Sequence, residues 1–425
     1  MKAYASIPRD DKEKILKCEK EKYEALKARN IKLDISRGKP SKEQLALSEE
    51  LLKIDISNCA DDGGIDIRNY GGLPGIPAAR ALFGELLGVP ASQVQIGGSS
   101  SITLMHDTIM RNFLFGALNG DIPWKDQKVK FICPVPGYDR HFTICEAFGI
   151  EMINVDMLST GPDMDKVEEL VKDPAVKGIW CVPQYDNPGG VVYSSTTVER
   201  LAKMQTAARD FRIFWDNAYC VHHFDVDNPM CVDNIYELCK DAGNEDRVYM
   251  FTSTSKITFP NGGVCCLAAS PANIAWQREK LNSQVISFDK VNQMRHVRFL
   301  ANKAQVLEHM RRHATIMKPK FDFVVNYLNE KLGGTDCAVW SMPHGGYFIS
   351  FFAHPGCAKR IVELCRQAGL ILTDAGATYP YHNDPADSNI RIAPSIPTLT
   401  ELSQAMELFV TVVKLVTIEK LLDEE

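Results

Sequence analysis

Two short segments decide the fold: IFWDNAY at 213–219 and MFTSTSK at 250–256. Each begins as an apolar run, which is typical of a buried strand, and each ends in polar side chains. The polar residues that follow the apolar runs are Asp216 and Tyr219 in the first segment and Ser253, Ser255 and Lys256 in the second. In sheets covered by helices on both faces, ligands bind at the carboxyl ends of the strands. The two segments therefore predict a ligand site at that edge of a sheet.

The surrounding sequence repeats this alternation of short apolar runs and longer helical patterns. Strands are predicted at 129–133, 152–155, 178–182, 213–215, 248–252 and 263–268. Helices are predicted at 101–116, 165–172 and 197–209. The last of these helices is predicted to start at a capping box formed by Thr196 and Glu199. Strands with so few polar positions are buried on both faces, so the pattern predicts an α/β fold with helices on both sides of the sheet.

The two ends of the chain have a different texture. A charged helix with few apolar positions is predicted at 9–29. The later elements are a helical region from about 290 through Lys331, strands at 347–352 and 370–373, a helix at 358–368, and a final helix that starts at the capping box of Thr398 and Glu401. We therefore divide the chain into an N-terminal arm or part of the small domain (1–55), a large domain (56–310) and a small domain (311–425).

The composition excludes several classes of protein. The 425 residues carry 48 basic and 54 acidic side chains, a net charge of −6, so no basic surplus exists to attract nucleic acid or an anionic membrane. No apolar run approaches the length of a transmembrane helix, and the N-terminus MKAYASIPRDDK is too charged for a signal peptide. The 13 cysteines contain no CxxC pair, which favours buried thiols over disulfides or a zinc site. We expect a cytoplasmic protein with no bound metal.

Two further loops extend the predicted site. GGSSS at 97–101 precedes a predicted helix, so its amides and hydroxyls could bind a phosphate at the helix N-terminus. QYDNPGG at 184–190 follows a predicted strand, and its Asn-Pro and Gly-Gly turns fix the polar side chain of Asn187. The sequence has no GxGxxG after a strand, no GxxxxGK[ST], no HExxH and no GxSxG.

Two histidine pairs are interpreted as structural. His309 and His313 are four residues apart on a predicted helix, but no glutamate lies between them, and the two arginines there would repel a cation. We predict that this pair lies on a solvated helix face. The adjacent histidines His222 and His223 are predicted to serve in packing rather than as metal ligands.

In their order along the chain, these motifs resemble the class I, fold-type I aminotransferases that depend on pyridoxal 5′-phosphate (PLP). The order is a serine-rich loop, an aromatic turn, Asn-Pro-Gly, Asp-x-x-Tyr, Ser-x-Ser-Lys and a late strand with an arginine. The resemblance runs from about residue 31 to 415, and ISRGKPS at 35–41 is similar to the aspartate-aminotransferase-like branch. It implies a mainly parallel seven-stranded sheet covered by helices, with a smaller α/β C-terminal domain.

The resemblance also implies roles for particular residues. Lys256 would carry the Schiff base of PLP, and Asp216 would face the pyridinium nitrogen. Tyr219 and Asn187 would hold the ring 3-oxygen, and the first of these would join Lys256 and Asp216 in catalysis. The further cofactor contacts would be Ser99, Ser100, Ser101, Tyr138, Ser253, Ser255 and Tyr70, the last lent by a neighbouring subunit. The substrate would contact Arg391, which clamps the α-carboxylate, together with Arg37, Gly38 and Asn187.

General chemistry agrees with these roles, with one departure from the family pattern. Lysine must lose its proton to attack a carbonyl, and a buried carboxylate favours a protonated ring nitrogen. The family usually has an arginine shortly after the lysine, paired with the phosphate, but ITFPNGG at 257–263 contains no cation. The phosphate must then rely on hydroxyls, backbone amides and an arginine from elsewhere in the chain.

The predicted activity is transfer of an amino group between aspartate or glutamate and a 2-oxo acid such as 2-oxoglutarate. Arg37 is the candidate for the distal carboxylate, although it could instead cap a helix or pair with an acidic neighbour. The alternatives are a β-lyase or decarboxylase on the same fold, or a PLP-binding regulatory module, which would carry a basic winged-helix domain ahead of the fold. Because Tyr70 would be lent to a neighbour, we expect a homodimer with shared sites, and the helix at 9–29 is expected to pack onto the partner.

Overall fold

The computed structural model describes residues 3–57, 59–61 and 63–425, so Met1 and Lys2 of the predicted arm lie outside the described residues. The α-helices are α1 Arg9–Lys27, α2 Lys42–Ala46, α3 Glu49–Lys53, α4 Pro77–Leu87, α5 Ser101–Phe115, α6 Asp139–Ala147, α7 Met164–Leu170, α8 Ser195–Lys203, α9 Ile235–Asp241, α10 Pro271–Leu281, α11 Lys290–Phe299, α12 Lys303–Leu332, α13 Ala358–Gln367 and α14 Leu399–Asp423. The strands are β1 Leu33–Asp34, β2 Val94–Ile96, β3 Lys130–Val135, β4 Glu151–Leu158, β5 Gly161–Pro162, β6 Val176–Cys181, β7 Arg212–Asp216, β8 Val248–Ser253, β9 Cys265–Ala269, β10 Ala338–Trp340, β11 Ile349–Ala353, β12 Leu370–Ile371 and β13 Asn389–Ile392.

The large sheet has the strand order β2-β9-β8-β7-β6-β3-β4-β5. Its central strands β4, β3, β6, β7 and β8 are parallel to one another, and β9 is antiparallel to both β8 and β2. The two-residue strand β5 adds an antiparallel edge. The predicted mainly parallel seven-stranded sheet is confirmed, with β5 as a short eighth member.

Both faces of this sheet are covered, because successive side chains of a strand point to opposite sides. Ile213 and Trp215 of β7 are buried in one core, which includes residues of α4, α8 and α9. Phe214, between them, lies in a second core with Phe131 and Trp180, closed by α5 and α6. The absence of polar positions in the predicted strands follows from this double burial.

The C-terminal part forms its own layers. Strands β10, β11 and β13 make a three-stranded antiparallel sheet, and β1 pairs in parallel with β12. The helix α1 packs against α14 of its own chain, and its packing onto a partner subunit stays a prediction. Its Tyr23 and Leu26 are buried in the C-terminal core, and the Tyr23 hydroxyl donates to the Leu364 carbonyl at 3.1 Å. The sparse apolar positions of α1 are therefore used within the chain.

The division into domains remains our proposal, and the cores support it. The boundary at 310–311 falls inside the continuous helix α12. Met310 belongs to the core of the large sheet, whereas Met317 belongs to the C-terminal core. On the N-terminal side, Ile35 belongs to the C-terminal core and Cys59 to the large-sheet core.

The helices α8 and α14 each begin at a residue whose side chain caps the helix. The cap of α14 was predicted correctly, and that of α8 was not. The Thr398 hydroxyl accepts from the Glu401 amide in a capping box, as predicted. For α8 the prediction of Thr196 is wrong, because the Ser194 hydroxyl accepts from the Thr197 amide at 3.2 Å and starts the helix earlier. Either hydroxyl can cap a helix, so the sequence alone does not choose between them.

All 13 cysteines lie in the described ranges and are free, and most of them are buried. In the same ranges, none of the helices combines the length and the apolar composition that crossing a membrane requires.

Candidate active site

The ends of β7 and β8 place a lysine beside a phenol. The two strands are paired in parallel with Asp216 opposite Phe251, so the segments that follow them leave the same edge of the sheet. The Lys256 Nζ donates to the Tyr219 hydroxyl at 3.1 Å and lies 4.6 Å from the centroid of that ring. Burial and the charge of Asp216 raise the pKa of Tyr219, so this phenol stays protonated and can act as a hydrogen-bond donor.

Asp216 is almost fully buried, and one of its two oxygens is unpaired. His141 Nε2 lies 3.0 Å from Oδ2, and because a carboxylate only accepts, this nitrogen is the donor. The His141 ring stacks on Trp180 with centroids 4.2 Å apart, which fixes its plane. Oδ1 is buried without a partner within the described residues. A buried carboxylate oxygen with no donor is costly, so the site is built for a donor that the protein does not supply.

His141 was missed by the sequence analysis, although a signal was present. It lies one helical turn after Tyr138, the residue that caps α6. The two rings meet edge to face with centroids 5.0 Å apart, next to the Asp216 carboxylate. Burial raises the pKa of Tyr138 to about 12. The predicted aromatic turn therefore lies beside the strand ends, as expected for a residue that contacts a bound ring.

The predicted serine residues come together at the N-terminus of α5. The Ser255 hydroxyl donates to the Ser99 carbonyl at 2.7 Å, and the Ser253 hydroxyl donates to that of Ser255 at 3.1 Å. Ser100 is the N-cap of α5 and Ser101 its first residue. Within the described residues, no arginine or lysine side chain forms a hydrogen bond with these five serines. Helix amides and hydroxyls are thus the anion-binding groups present at this position.

Gly263 ends the segment after Lys256 in which the family usually has an arginine. A side chain at this position would be crowded by neighbouring backbone atoms. A Cβ at this position would lie 3.0 Å from the Ser255 amide nitrogen and 3.1 Å from the Ser99 carbonyl oxygen. The loop after Lys256 therefore closes directly onto the serine-rich loop, and the two chains approach too closely for a side chain between them.

Arg391 is held in a second polar cluster. Its Nη1 donates to Asp139 Oδ1 at 2.9 Å and to Asn187 Oδ1 at 3.2 Å, and its guanidinium lies 4.8 Å from the centroid of the Phe348 ring. Its Nε is buried with no partner among the described residues. The Nε edge of the guanidinium is therefore free to bind a carboxylate. Asp139 and Phe348 were not predicted, because they lie far from Arg391 in sequence.

Gly38 lies next to this cluster. A Cβ at Gly38 would lie 2.4 Å from the tip of the Phe348 ring, so only glycine fits there. The neighbouring Arg37 is exposed, and its side chain forms no hydrogen bond within the described part of the chain. The structure thus brings Gly38, but not the Arg37 guanidinium, into contact with residues around Arg391.

Tyr70 is the predicted site residue that lies apart from the others. Its side chain is 77% exposed. The Lys290 Nζ holds the backbone of this segment by donating to the Gly71 carbonyl at 2.7 Å and to the Tyr70 carbonyl at 3.5 Å. The backbone of the segment is anchored, while the phenol of Tyr70 is exposed.

The prediction for the pair on α12 is wrong. His309 and His313 are buried at 6% and 2% exposure, not solvated. The reason is that the face of α12 that carries them packs against other segments: His309 Nε2 lies 2.9 Å from the Ile257 carbonyl oxygen, and His313 Nδ1 lies 3.1 Å from Gln44 Nε2. His222 and His223 are buried as well, and the prediction of a packing role for them agrees with this.

Comparisons with known proteins bear on this geometry. The chain combines this sheet order with Lys256 after β8 and the buried Asp216 at the end of β7. It is a fold-type I transferase of the PLP-dependent class. The family model described as "Aspartate amino-transferase" matches residues 7–425, so the chain belongs to the aspartate aminotransferase family and is a transaminase.

Individual relatives cover nearly the whole chain. An aspartate aminotransferase of Corynebacterium glutamicum is 46% identical over 94% of this chain and 93% of its own. A solved aspartate transaminase from Corynebacterium glutamicum has a TM-score of 0.96 and 43% identity, and covers 99% of each chain. A protein of Mycolicibacterium smegmatis is 45% identical over the full length of both chains.

Proposed function

We propose that this transaminase binds PLP covalently at Lys256 and moves the amino group between aspartate or glutamate and 2-oxoglutarate. The observation that carries the proposal is the convergence at the ends of β7 and β8. There the Lys256 amine lies 3.1 Å from the Tyr219 hydroxyl, and Asp216 at the end of β7 has a buried oxygen with no donor among the described residues. The competing activities of β-lyase and decarboxylase have no observation in their favour.

The residues present fit PLP. The unpartnered Oδ1 of Asp216 suits a protonated ring nitrogen, because a buried carboxylate stabilises a neighbouring cation. Ser99, Ser100 and Ser101 at the N-terminus of α5 suit the phosphate, which the positive end of the helix attracts. Tyr138 lies where an aromatic ring could stack on the cofactor. When bound, PLP supplies an electron sink for the bonds at the substrate Cα.

Side chains of the protein would move the proton, hold the cofactor ring and bind the substrate carboxylate. Lys256, once released from the cofactor, is the base that takes and returns the proton at the substrate Cα. Tyr219 holds that amine by its hydrogen bond, and with Asn187 it would hold the ring 3-oxygen. Arg391 would bind the α-carboxylate through its free edge, as the planar guanidinium permits and a lysine does not.

The preference for a dicarboxylate rests on two points. A relative that is 46% identical is named an aspartate aminotransferase. Arg37 is exposed and carries a free guanidinium two residues before Lys39, in the segment whose Gly38 contacts Phe348 beside Arg391. The Arg37 guanidinium does not contact the residues around Arg391 in this structure, so it would have to turn towards them to pair with a distal carboxylate.

A donor panel tests this substrate assignment. We expect the wild type to use aspartate and glutamate in preference to alanine and aromatic amino acids. Arg37→Ala should lower kcat/KM for aspartate about 10- to 100-fold and leave alanine nearly unchanged, since only the distal carboxylate loses its partner. The matched control is Lys39→Ala, which removes an exposed cation from the same segment. A wild type that prefers alanine or aromatic donors overturns the dicarboxylate assignment, and an Arg37→Ala variant that keeps the wild-type selectivity for aspartate passes the role to another residue.

We also propose that the active unit is a homodimer in which Tyr70 completes the phosphate site of the neighbouring subunit. The phenol is 77% exposed while its backbone is fixed by Lys290, an arrangement that suits a side chain presented to another chain. A shared site of this kind requires two-fold symmetry, so each dimer would hold two equivalent sites.

Subunit complementation provides the test. Lys256→Ala and Tyr70→Ala are each expected to be weakly active or inactive alone. When the two are co-expressed, half of the dimers are hybrids, and one site of each hybrid has both native residues. We expect about a quarter of wild-type activity from statistical assembly. Recovery no greater than the sum of the two single variants, or a fully active monomer in light scattering, contradicts the shared site.

We propose a cytoplasmic location as well, because the 13 thiols are free and a reducing compartment keeps them so. Measuring where the tagged protein fractionates in its own cell checks this directly.

A further inference from the structure

The buried histidines of α12 form a chain of polar contacts with three other segments. His309 Nε2 lies 2.9 Å from the Ile257 carbonyl oxygen and 3.2 Å from His313 Nε2. His313 Nδ1 lies 3.1 Å from Gln44 Nε2, which also donates to the Tyr347 hydroxyl at 3.0 Å. The chain ends at the carbonyl of the residue that directly follows Lys256.

The partners fix which atom donates at each step. The Gln44 Oε1 accepts from the Ser41 amide at 3.0 Å, so its Nε2 must be the donor to His313. His313 therefore accepts at Nδ1, and its neutral ring carries its proton on Nε2. A carbonyl oxygen only accepts, so His309 also carries its proton on Nε2. Burial lowers the pKa of both rings, that of His313 to about 3, which keeps them neutral.

His309 makes the direct contact with the Lys256 turn, because its Nε2 donates to the Ile257 carbonyl at 2.9 Å. His313 lies directly behind it, with the two Nε2 atoms 3.2 Å apart and the ring centroids 4.9 Å apart. His309 thus holds one backbone atom of the turn that carries Lys256, and His313 packs against the ring that holds it.

Bonds within the turn and to other elements also hold this segment. The Ile257 and Thr258 amides donate to the Thr254 carbonyl at 2.9 and 2.8 Å. The Ser255 hydroxyl donates to the Ser99 carbonyl, and the Thr258 hydroxyl lies 2.9 Å from His296 Nε2 of α11. The contact from His309 of α12 adds an anchor at the backbone of the residue that directly follows the lysine.

We propose that His309 and His313 are positioning residues that hold the Lys256 turn in register with the site. The proposal rests on the function proposed above, in which the lysine amine must leave the cofactor, move a proton and return. An anchored turn keeps that amine within reach of the substrate Cα and of Tyr219. Neither histidine contacts the Arg391 cluster. Replacing them should therefore slow the proton transfer at Cα and leave substrate binding unchanged.

The test compares His309→Phe and the double variant His309→Phe/His313→Phe with the wild type. We expect kcat per loaded site to fall about 10-fold in the double variant while KM for aspartate stays within about twofold. His309→Gln, which keeps an N–H donor, should restore kcat to within about threefold. Met310→Leu, a change of similar burial on the same helix with no hydrogen bond, is the control and should leave kcat unchanged.

A second readout does not depend on activity. Hydrogen exchange of the peptide covering 254–262 in the full-length apo-protein should be about 10-fold faster in the double variant than in the wild type or Met310→Leu. Normal exchange and normal kcat together with a lower melting temperature would make the histidines ordinary core residues and overturn the proposal. A wild type without transaminase turnover would refute the proposed function instead, and the exchange measurement would still decide on the anchor.

Discussion

Replacing Lys256 with alanine is expected to abolish turnover and the visible absorbance of the protein-bound cofactor. Among the described residues, Lys256 is the lysine whose amine donates to the Tyr219 hydroxyl, in the segment that follows the strand next to that of Asp216. It would supply the covalent attachment and the base at Cα, so its removal eliminates two roles at once. We expect kcat to fall by at least about 10⁴-fold.

Steady-state rates and borohydride reduction followed by peptide mapping measure these effects. The wild type should carry the reduced cofactor on the peptide that contains Lys256. A Lys256→Ala protein that still forms a borohydride-reducible link with PLP would show that another lysine carries the cofactor. The folded state of the variant is checked by its melting temperature.

Asp216→Asn should have the second largest effect. The neutral amide keeps the shape of the side chain and the hydrogen bond with His141, but it no longer stabilises a positive charge at the unpaired oxygen. Without that charge the ring nitrogen would lose its proton, and the electron sink would weaken. We expect kcat to fall about 10³-fold while the protein stays folded.

Asp186→Asn provides a matched control for this variant. Asp186 is also buried, and burial raises its pKa to about 7, so it is largely neutral at pH 6. Because the amide then replaces a neutral acid of the same shape, kcat at pH 6 should stay within about threefold. Retention of more than about a tenth of wild-type kcat by Asp216→Asn would contradict the assigned role of its charge.

The sequence predicts those site residues that lie next to a recognisable strand. The strands that deliver Asp216 and Lys256 are apolar on both faces, so their positions and their polar ends could be read directly. The short strands β1, β2, β5 and β10 were not predicted. Their pairing depends on partners elsewhere in the chain, and Val339 of β10 is 68% exposed.

The site residues that the sequence analysis missed make their contacts with residues far away in sequence. Asp139 meets Arg391 across 252 residues, and no local spacing indicates this pair. His141 could have been noted from its spacing after Tyr138, but its acceptor Asp216 comes from another strand. His309 and His313 resembled a solvated pair because arginines separate them, whereas their face of the helix is covered by Ile257 and Gln44, which lie far away in sequence.

The most direct test of the central claim is a half-reaction. The holoenzyme at high concentration is mixed with L-aspartate in the absence of any 2-oxo acid, and oxaloacetate, ammonia and CO₂ are measured over time. The proposed function predicts one equivalent of oxaloacetate per Lys256 site, then no further product until 2-oxoglutarate is added and glutamate appears. Continuous release of ammonia or CO₂ without an added acceptor would identify a lyase or a decarboxylase and contradict the account.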